Sequence, residues 1–286
     1  MIKGLGTALI TPFKADKRVD YDALARLLDT QLTGYVDYLV VLGTTGEAVT
    51  MTENERAEVR TFIRKYVDGR LPLVLGVGGN CTAVVCESLK TLDLRSFEAI
   101  LSVCPYYNKP NQEGLYQHFC AIAEASPIPV ILYNVPGRTG VNLLPETVMR
   151  IYNAHPDKIV GVKEASGNVE QIKHLIDLAK DKLPVISGDD GIACEIMEAG
   201  GAGLISVASN AFPEDFHAIV HKKDQAKQAQ YENMVRLLFK EGNPVGIKAV
   251  LAQKGIIQNY LRLPLVPASE ELQEELKVES LELREV

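Results

Sequence analysis

The sequence predicts an α/β chain folded as a (β/α)8 TIM barrel over residues 1–242, with a C-terminal helical extension over residues 243–286 docked on the barrel. Three observations carry that expectation. Eight short apolar runs alternate with longer amphipathic stretches along most of the chain. The runs are apolar almost throughout, as strands covered on both faces are, and this is the pattern of parallel β/α architecture. The turn after the first run, TPFKADKR, holds neither GxGxxG nor GxxxxGK(S/T), so a nucleotide-binding open sheet is unsupported.

The strands are expected at GTALIT (6–11), YLVVLG (38–43), LPLVLG (71–76), AILSV (99–103), PVILYN (129–134), KIVGVK (158–163), PVIS (184–187) and GLISV (203–207). Helices are expected between them at DYDALARLLDTQLT, TENERAEVRTFIRKYV, TAVVCESLKTLDL, EGLYQHFCAIAEA, PETVMRIYNA, VEQIKHLIDLAKD and GIACEIMEAG. Their starts carry caps: Thr52 with Glu55 as a capping box, Thr82 at its helix entry, and Asn168 before VEQIK. Eight such units within roughly 200–210 residues fit a closed barrel better than an open sheet. From Pro213 the pattern is helical only. PEDFHAIVHKKDQAKQAQYENMVRLLF can complete the outer ring, while PVGIKAVLAQKGI and ASEELQEELKVESLEL build the extension. No Ser- or Gly-rich linker precedes the extension, so it is expected to dock rather than swing free.

Composition narrows the function classes. With 286 residues, 47% of them apolar, the chain can bury a full core. A formal charge of -7 argues against a nucleic-acid partner, because phosphate binding needs clustered Lys and Arg. Here the basic residues are scattered among acids, as in KADKR and HKKDQAK, which reads as solvated helix faces. No apolar run approaches the ~20 residues that span a bilayer. MIKGLGTALITPF lacks a signal-peptide pattern, so the expected location is cytoplasmic. The five cysteines are an odd number without a CxxC or His-x-Cys pair, which reads as buried reduced thiols and no metal.

Reactive residue types gather at one rim. In a barrel the chemistry sits at the C-terminal strand ends. Those ends here carry Gly43-Thr44-Thr45-Gly46-Glu47, Tyr106-Tyr107-Asn108-Lys109, Tyr133-Asn134 with Arg138 beyond, Lys163-Glu164, Gly188-Asp189-Asp190 and Ile205-Ser206. Alternation places Ile159, Gly161 and Lys163 on one strand face and Val160 and Val162 on the other. The valines suit the helix-facing layer, so Lys163 is expected to point into the barrel mouth, with Gly161 leaving room for its stem. Tyr133 is expected to point inward on the neighbouring strand.

Burial disfavours the charged form of an amine. The neutral amine attacks carbonyl carbon to give a Schiff base, whose iminium is an electron sink. Tyr133 would shuttle protons. The backbone N–H groups of the Thr44-Thr45 turn would bind a substrate carboxylate, and Arg138 would add a bidentate carboxylate clamp. Blander readings stand beside these. Lys163 would then be half of a structural ion pair, Tyr133 a core tyrosine with a satisfied hydroxyl, and the PYYNKP tyrosines packing residues. Asp189 and Asp190 read better as the cap of the next helix than as catalytic groups.

GTTGE, PYYNKP, YNVPGRTG and GVKEASGN, in this order and spacing, resemble the pyruvate-dependent Schiff-base lyases and aldolases, and within them the dihydrodipicolinate synthase family. The resemblance runs from GLGTALITPF to NPVGIKAVLAQKG. It implies a (β/α)8 barrel, a homotetramer, no cofactor, and condensation of pyruvate with L-aspartate 4-semialdehyde on the diaminopimelate route to lysine. By motif, Lys163 forms the Schiff base, Tyr133 is the proton donor and acceptor, and Thr44 and Tyr107 complete a proton relay, Tyr107 coming from the adjacent subunit. Thr45 holds the pyruvate carboxylate, Ile205 contacts pyruvate, and Arg138 receives the semialdehyde carboxylate. N-acetylneuraminate lyase and 2-keto-3-deoxy-sugar-acid aldolases share the barrel and lysine. Arg138 favours the short acidic aldehyde over their long polyhydroxylated substrates. Glu53, Arg56 and Val84 stand where lysine-inhibited members carry histidine and glutamate, so feedback by lysine is expected to be weak or absent.

Overall fold

The computed structural model describes residues 2–285. Among the described residues, eight strands run in the order β1 (Gly4–Ala8), β2 (Tyr38–Val41), β3 (Leu73–Gly76), β4 (Ala99–Val103), β5 (Val130–Asn134), β6 (Ile159–Glu164), β7 (Val185–Ser187) and β8 (Gly203–Ser206). They form a closed parallel barrel in sequence order, with helices between the strands. The expected fold class stands. No helix among the described residues is long and apolar enough to cross a membrane.

The chain divides into two compact units. One takes the N-terminal residues up to Gly4 and Pro72–Ile205; the other takes Leu5–Leu71 and the chain from Ser206 onward. In the first unit the β4/β5 and β5/β6 pairings set the site. Leu101 lies opposite Ile131 and Val103 opposite Tyr133, while Tyr133 lies opposite Lys163 and Asn134 opposite Glu164. The β5/β6 register slips once, between Val130 and Ile131, which leaves Val160 as the extra residue and keeps alternation intact from Gly161 upward. Val74, Leu75, Ile100, Ile131, Leu132 and Val162 are fully buried. Each such side chain contributes roughly 1.5–3 kcal/mol.

Two of the longer helices in this unit start on side-chain caps. Asn111 accepts from Gly114 N at 2.9 Å ahead of Gln112–Ala125, and Asn168 accepts from Gln171 N at 3.1 Å ahead of Val169–Ala179. The expected cap at Thr82 is corrected: Cys81 occupies the cap position without a side-chain bond, and Thr82 is the first helical residue. Its hydroxyl is instead 2.8 Å from Nδ1 of His118, a buried residue on the Gln112–Ala125 helix.

Burial holds His118 down to about 4, so this imidazole stays neutral in the folded chain where the unfolded one takes a proton near 6.5. Its contribution is fully present above the unfolded value and is lost as pH falls from there toward 4. Between neutrality and about pH 4.5 that loss amounts to about 2–3 kcal/mol. His118→Gln is expected to remove it, so urea melts at the two pH values should show the wild type losing that much more stability than the variant. Equal losses in the two proteins would contradict the assignment.

In the second unit β1 pairs with β2 through Gly6 opposite Tyr38 and Ala8 opposite Val40. The strand covers Gly4–Ala8 rather than 6–11. Leu9 N still reaches Val40 O, but Ile10 N donates to the Asn210 side chain instead of to a strand partner. Thr7, Gln31, Ser209 and Asn210 form a fully buried hydrogen-bonded cluster behind β1. Helix Glu53–Val67 opens with the Thr52–Glu55 capping box. The run expected as one helix from Pro213 breaks into Pro213–Lys222, Gln225–Gln230 and Glu232–Lys240. Lys223 turns left-handed (φ 53°) and Asp224 caps the next piece through Lys227 N. Helices Val245–Gln253 and Glu270–Glu285 complete the unit.

Candidate active site

Strand pairing puts Tyr133 and Lys163 side by side at the ends of β5 and β6. Both are buried, and Lys163 Nζ lies 4.4 Å from the centre of the Tyr133 ring. Among the described residues Lys163 makes no ion pair and the Tyr133 hydroxyl no hydrogen bond. The structural ion pair and the satisfied core tyrosine are therefore disfavoured. Room for the lysine stem comes from Gly188, just past β7. A Cβ there would lie 2.8 Å from Lys163 Cε and 2.6 Å from Ala165 Cβ, closer than such atoms approach. At Gly161, where the space was expected, a Cβ would meet only Ile131 and Pro184 at ordinary contact distances.

The next residue along each strand points the other way and is locked. Asn134 Nδ2 donates to both carboxylate oxygens of Glu164, at 3.1 and 2.9 Å, and to Asn142 Oδ1 at 2.7 Å. Gln171 Nε2 and Ser166 N also donate to Glu164, and Leu143 N donates to Asn134 Oδ1. Glu164 is fully buried, and that burial raises its carboxyl above the ordinary value against these hydrogen bonds. Adjacent residues on opposite faces of two strands are thus fixed by one network, which sets the direction of the reactive pair.

Other expected residues of this unit occupy the same strand ends. Ile205 is buried at the end of β8. Arg138 is exposed on the helical turn Pro136–Thr139, which follows β5 directly. Tyr107, past β4, is 89% exposed in the left-handed region (φ 75°), and its N–H donates to Thr139 O at 3.3 Å. A tyrosine so exposed is no packing residue within its own chain. Asp189 accepts from Gly191 N at 2.9 Å and caps the turn Asp190–Ile192, the bland reading given for it.

Thr44 and Thr45 belong to the second unit, in a 3-10 turn, Thr44–Gly46, past β2. Thr44 is exposed; Thr45 is buried, and its hydroxyl accepts from Asn243 Nδ2 at 2.9 Å. The turn ends on Glu47, left-handed (φ 53°) and buried, whose carboxylate is ion-paired with the fully buried Lys248. Arg262 N donates to Glu47 at 3.1 Å and Lys248 Nζ to Tyr260 O at 3.0 Å. The Arg262 guanidinium bonds Glu55, which holds that carboxyl at about 2, and it also binds Thr50 O and Lys17 O. Burial pulls the Lys248 ammonium below its ordinary value, and Glu47 opposes the shift.

Sequence reading missed Asn243, Glu47 and Lys248 as supports of the Thr44-Thr45 turn. A lysine inside PVGIKAVLAQ, an otherwise apolar helix, was the signal. At the positions noted for lysine feedback, Glu53 is bonded to Arg56 and Arg60 at 2.9 Å each, and Val84 is exposed. Chemically, an unpaired buried amine beside a phenol can attack a carbonyl and exchange protons with the adduct.

Comparison with known proteins follows the same lines. Residues 1–281 match the Dihydrodipicolinate synthetase family. The 4-hydroxy-tetrahydrodipicolinate synthase of Parabacteroides distasonis is 51% identical over 273 residues, covering 93% of this chain and 92% of that one. Among solved structures, dihydrodipicolinate synthase from Thermotoga maritima superposes with a TM-score of 0.95 at 39% identity, over 100% of both chains. The chloride-inhibited dihydrodipicolinate synthase from Acinetobacter baumannii, complexed with pyruvate, gives 0.95 at 38% identity, again over 100% of both chains. On the family match and these identities, the chain belongs to the dihydrodipicolinate synthetase family.

Proposed function

We infer that this chain is a lyase that condenses pyruvate with L-aspartate 4-semialdehyde to 4-hydroxy-tetrahydrodipicolinate, the first committed step of lysine biosynthesis through diaminopimelate. The observation that carries this reading is the buried, unpaired Lys163 amine against the Tyr133 phenol, in a chain half identical to a relative bearing that name. Lys163 attacks the keto carbon of pyruvate, and loss of water leaves an iminium. A proton leaves the methyl carbon, and the enamine so formed attacks the aldehyde. The acceptor's own amine then displaces Lys163 as the ring closes. No cofactor is needed, because the iminium is the electron sink.

Tyr133 serves as proton donor and acceptor in these steps, relayed by Thr44 and by Tyr107. Tyr107 acts across a subunit boundary in a homotetramer, in keeping with its 89% exposure. Thr45 holds the pyruvate carboxylate, in keeping with the Asn243 bond that fixes its hydroxyl. Ile205 packs on pyruvate, and the pyruvate complex of the Acinetobacter baumannii relative supports that ligand. Arg138, exposed just past Tyr133, receives the semialdehyde carboxylate. The enzyme works in the cytoplasm, residues 1–242 forming the catalytic barrel and 243–286 an extension that supports the Thr44-Thr45 turn.

Product formation from pyruvate and L-aspartate 4-semialdehyde, measured beside N-acetylneuraminate cleavage by the same preparation, tests the substrate assignment. Turnover of the first pair only is expected; preferential cleavage of N-acetylneuraminate would overturn it. With Glu53 occupied by Arg56 and Arg60, and Val84 offering no carboxylate, free lysine added to the assay should inhibit only weakly. A low-micromolar inhibition constant would contradict that part.

A further inference from the structure

The second unit holds a cluster beside the start of β2 that the reaction does not use. His217 and His221 sit four residues apart on the Pro213–Lys222 helix, so their imidazoles share one face. The rings stack, with centroids 4.3 Å apart and planes 28° from parallel. Asp37, the residue before β2, faces them: its Oδ2 lies 2.6 Å from His221 Nε2 and accepts from Leu5 N at 2.6 Å. One ligand atom from each of the three residues lies within 4.8 Å of the other two.

We propose that Asp37, His217 and His221 are the protein ligands of a divalent transition-metal site that ties the Pro213–Lys222 helix to the turn ahead of β2. His217 carries the second mark of such a site. Its Nδ1 lies 2.7 Å from the carbonyl oxygen of Tyr35, which can only accept. Nδ1 therefore bears the proton, and the lone pair stands on Nε2. This outer-sphere bond to a carbonyl is how metal-binding histidines are oriented. Tyr35 presents that carbonyl from the left-handed region (φ 62°). The Leu5 N–H anchors the Asp37 carboxylate in the same way.

Two imidazoles and one carboxylate are a set suited to Zn2+, Co2+ or Ni2+ rather than to Mg2+ or Ca2+, which prefer all-oxygen shells. Ligand atoms around a tetrahedral Zn2+ with bonds of ~2.0–2.2 Å stand ~3.3 Å apart, so the cluster closes with small side-chain movements and water as fourth ligand. The Asp37–His221 hydrogen bond gives way to one bond from each residue to the metal. In the sequence the site is marked by HAIVH, whose histidines stand four residues apart.

Isothermal titration of ZnCl2 into the chelator-treated full-length protein, in a Cys81→Ser background that removes the exposed thiol, tests the proposal. One Zn2+ per chain is expected, with a rise in melting temperature as zinc is added. His221→Ala, and separately His217→Ala, should weaken binding at least about tenfold, since loss of even an outer-sphere partner typically costs 10–100-fold. Turnover without added metal should stay unchanged in both variants, which shows that they fold. Absence of 1:1 binding, or binding of wild-type strength in either variant, would overturn the site.

Discussion

Lys163→Ala is expected to lose the borohydride-trapped pyruvate adduct entirely and to lower turnover by more than about 10³-fold, since removing a covalent nucleophile typically costs at least that. Its thermal stability should stay near that of the parent. The two halves of this expectation have one cause: among the described residues no carboxylate is paired with Lys163, so removing the amine orphans no buried charge. Tyr133→Phe should behave differently. The amine remains and the adduct still forms, but proton transfer to and from it loses roughly 10²–10⁴-fold. Mass spectrometry of the trapped protein separates the cases, with adduct mass on Lys163 in Tyr133→Phe and none in Lys163→Ala. An adduct of pyruvate mass in Lys163→Ala would place the Schiff base elsewhere and overturn the mechanism.

Gly188→Ala sharpens the same point without touching the nucleophile. The added methyl would overlap Lys163 Cε, so the stem must move while its chemistry is retained. Trapping should slow in this variant yet still map to Lys163.

The reactive pair was legible in the sequence because strand alternation is local. Knowing that β5 ends in YN and β6 in KE is enough to put Tyr133 and Lys163 on the same face, and parallel neighbours in sequence order make them partners. The slip at Val160 falls below the site and leaves that inference untouched. Contacts between residues far apart in sequence were not legible. Gly161 was the natural guess for the lysine's space because it lies two residues away; the space is made by Gly188, just past the next strand. The end of β1 was misplaced for a similar reason. Leu9 and Ile10 are as apolar and as buried as strand residues, but Ile10 N is claimed by Asn210, 200 positions on. In the long C-terminal run, the left-handed Lys223 interrupts a pattern whose composition is helical throughout, and only Asp224 marks the restart.

Lys248→Met is expected to show the opposite signature from Lys163→Ala: a stability loss of about 3–5 kcal/mol, the usual result of breaking a buried pair from one side. Lys248 and Glu47 are 0% and 1% exposed, 201 residues apart, and Lys248 also packs over Phe13 at 4.2 Å. Methionine keeps most of the volume but leaves the Glu47 carboxylate buried, with Arg262 N its one remaining donor among the described residues. Glu47→Gln in the same chain removes the orphaned charge, so the double variant should recover a large part of the loss, as neutral replacements of buried pairs do. Glu47 also ends the Thr44–Gly46 turn in a left-handed conformation, so the single variant should raise the KM for pyruvate more than it lowers kcat. Urea melts of the two single variants and the double variant, with steady-state kinetics on each, give the complete cycle. A loss below about 1 kcal/mol in Lys248→Met, the range of an exposed ion pair, would mean that the pair does not anchor the turn. Two buried lysines would then no longer divide between them the stability of the chain and its chemistry.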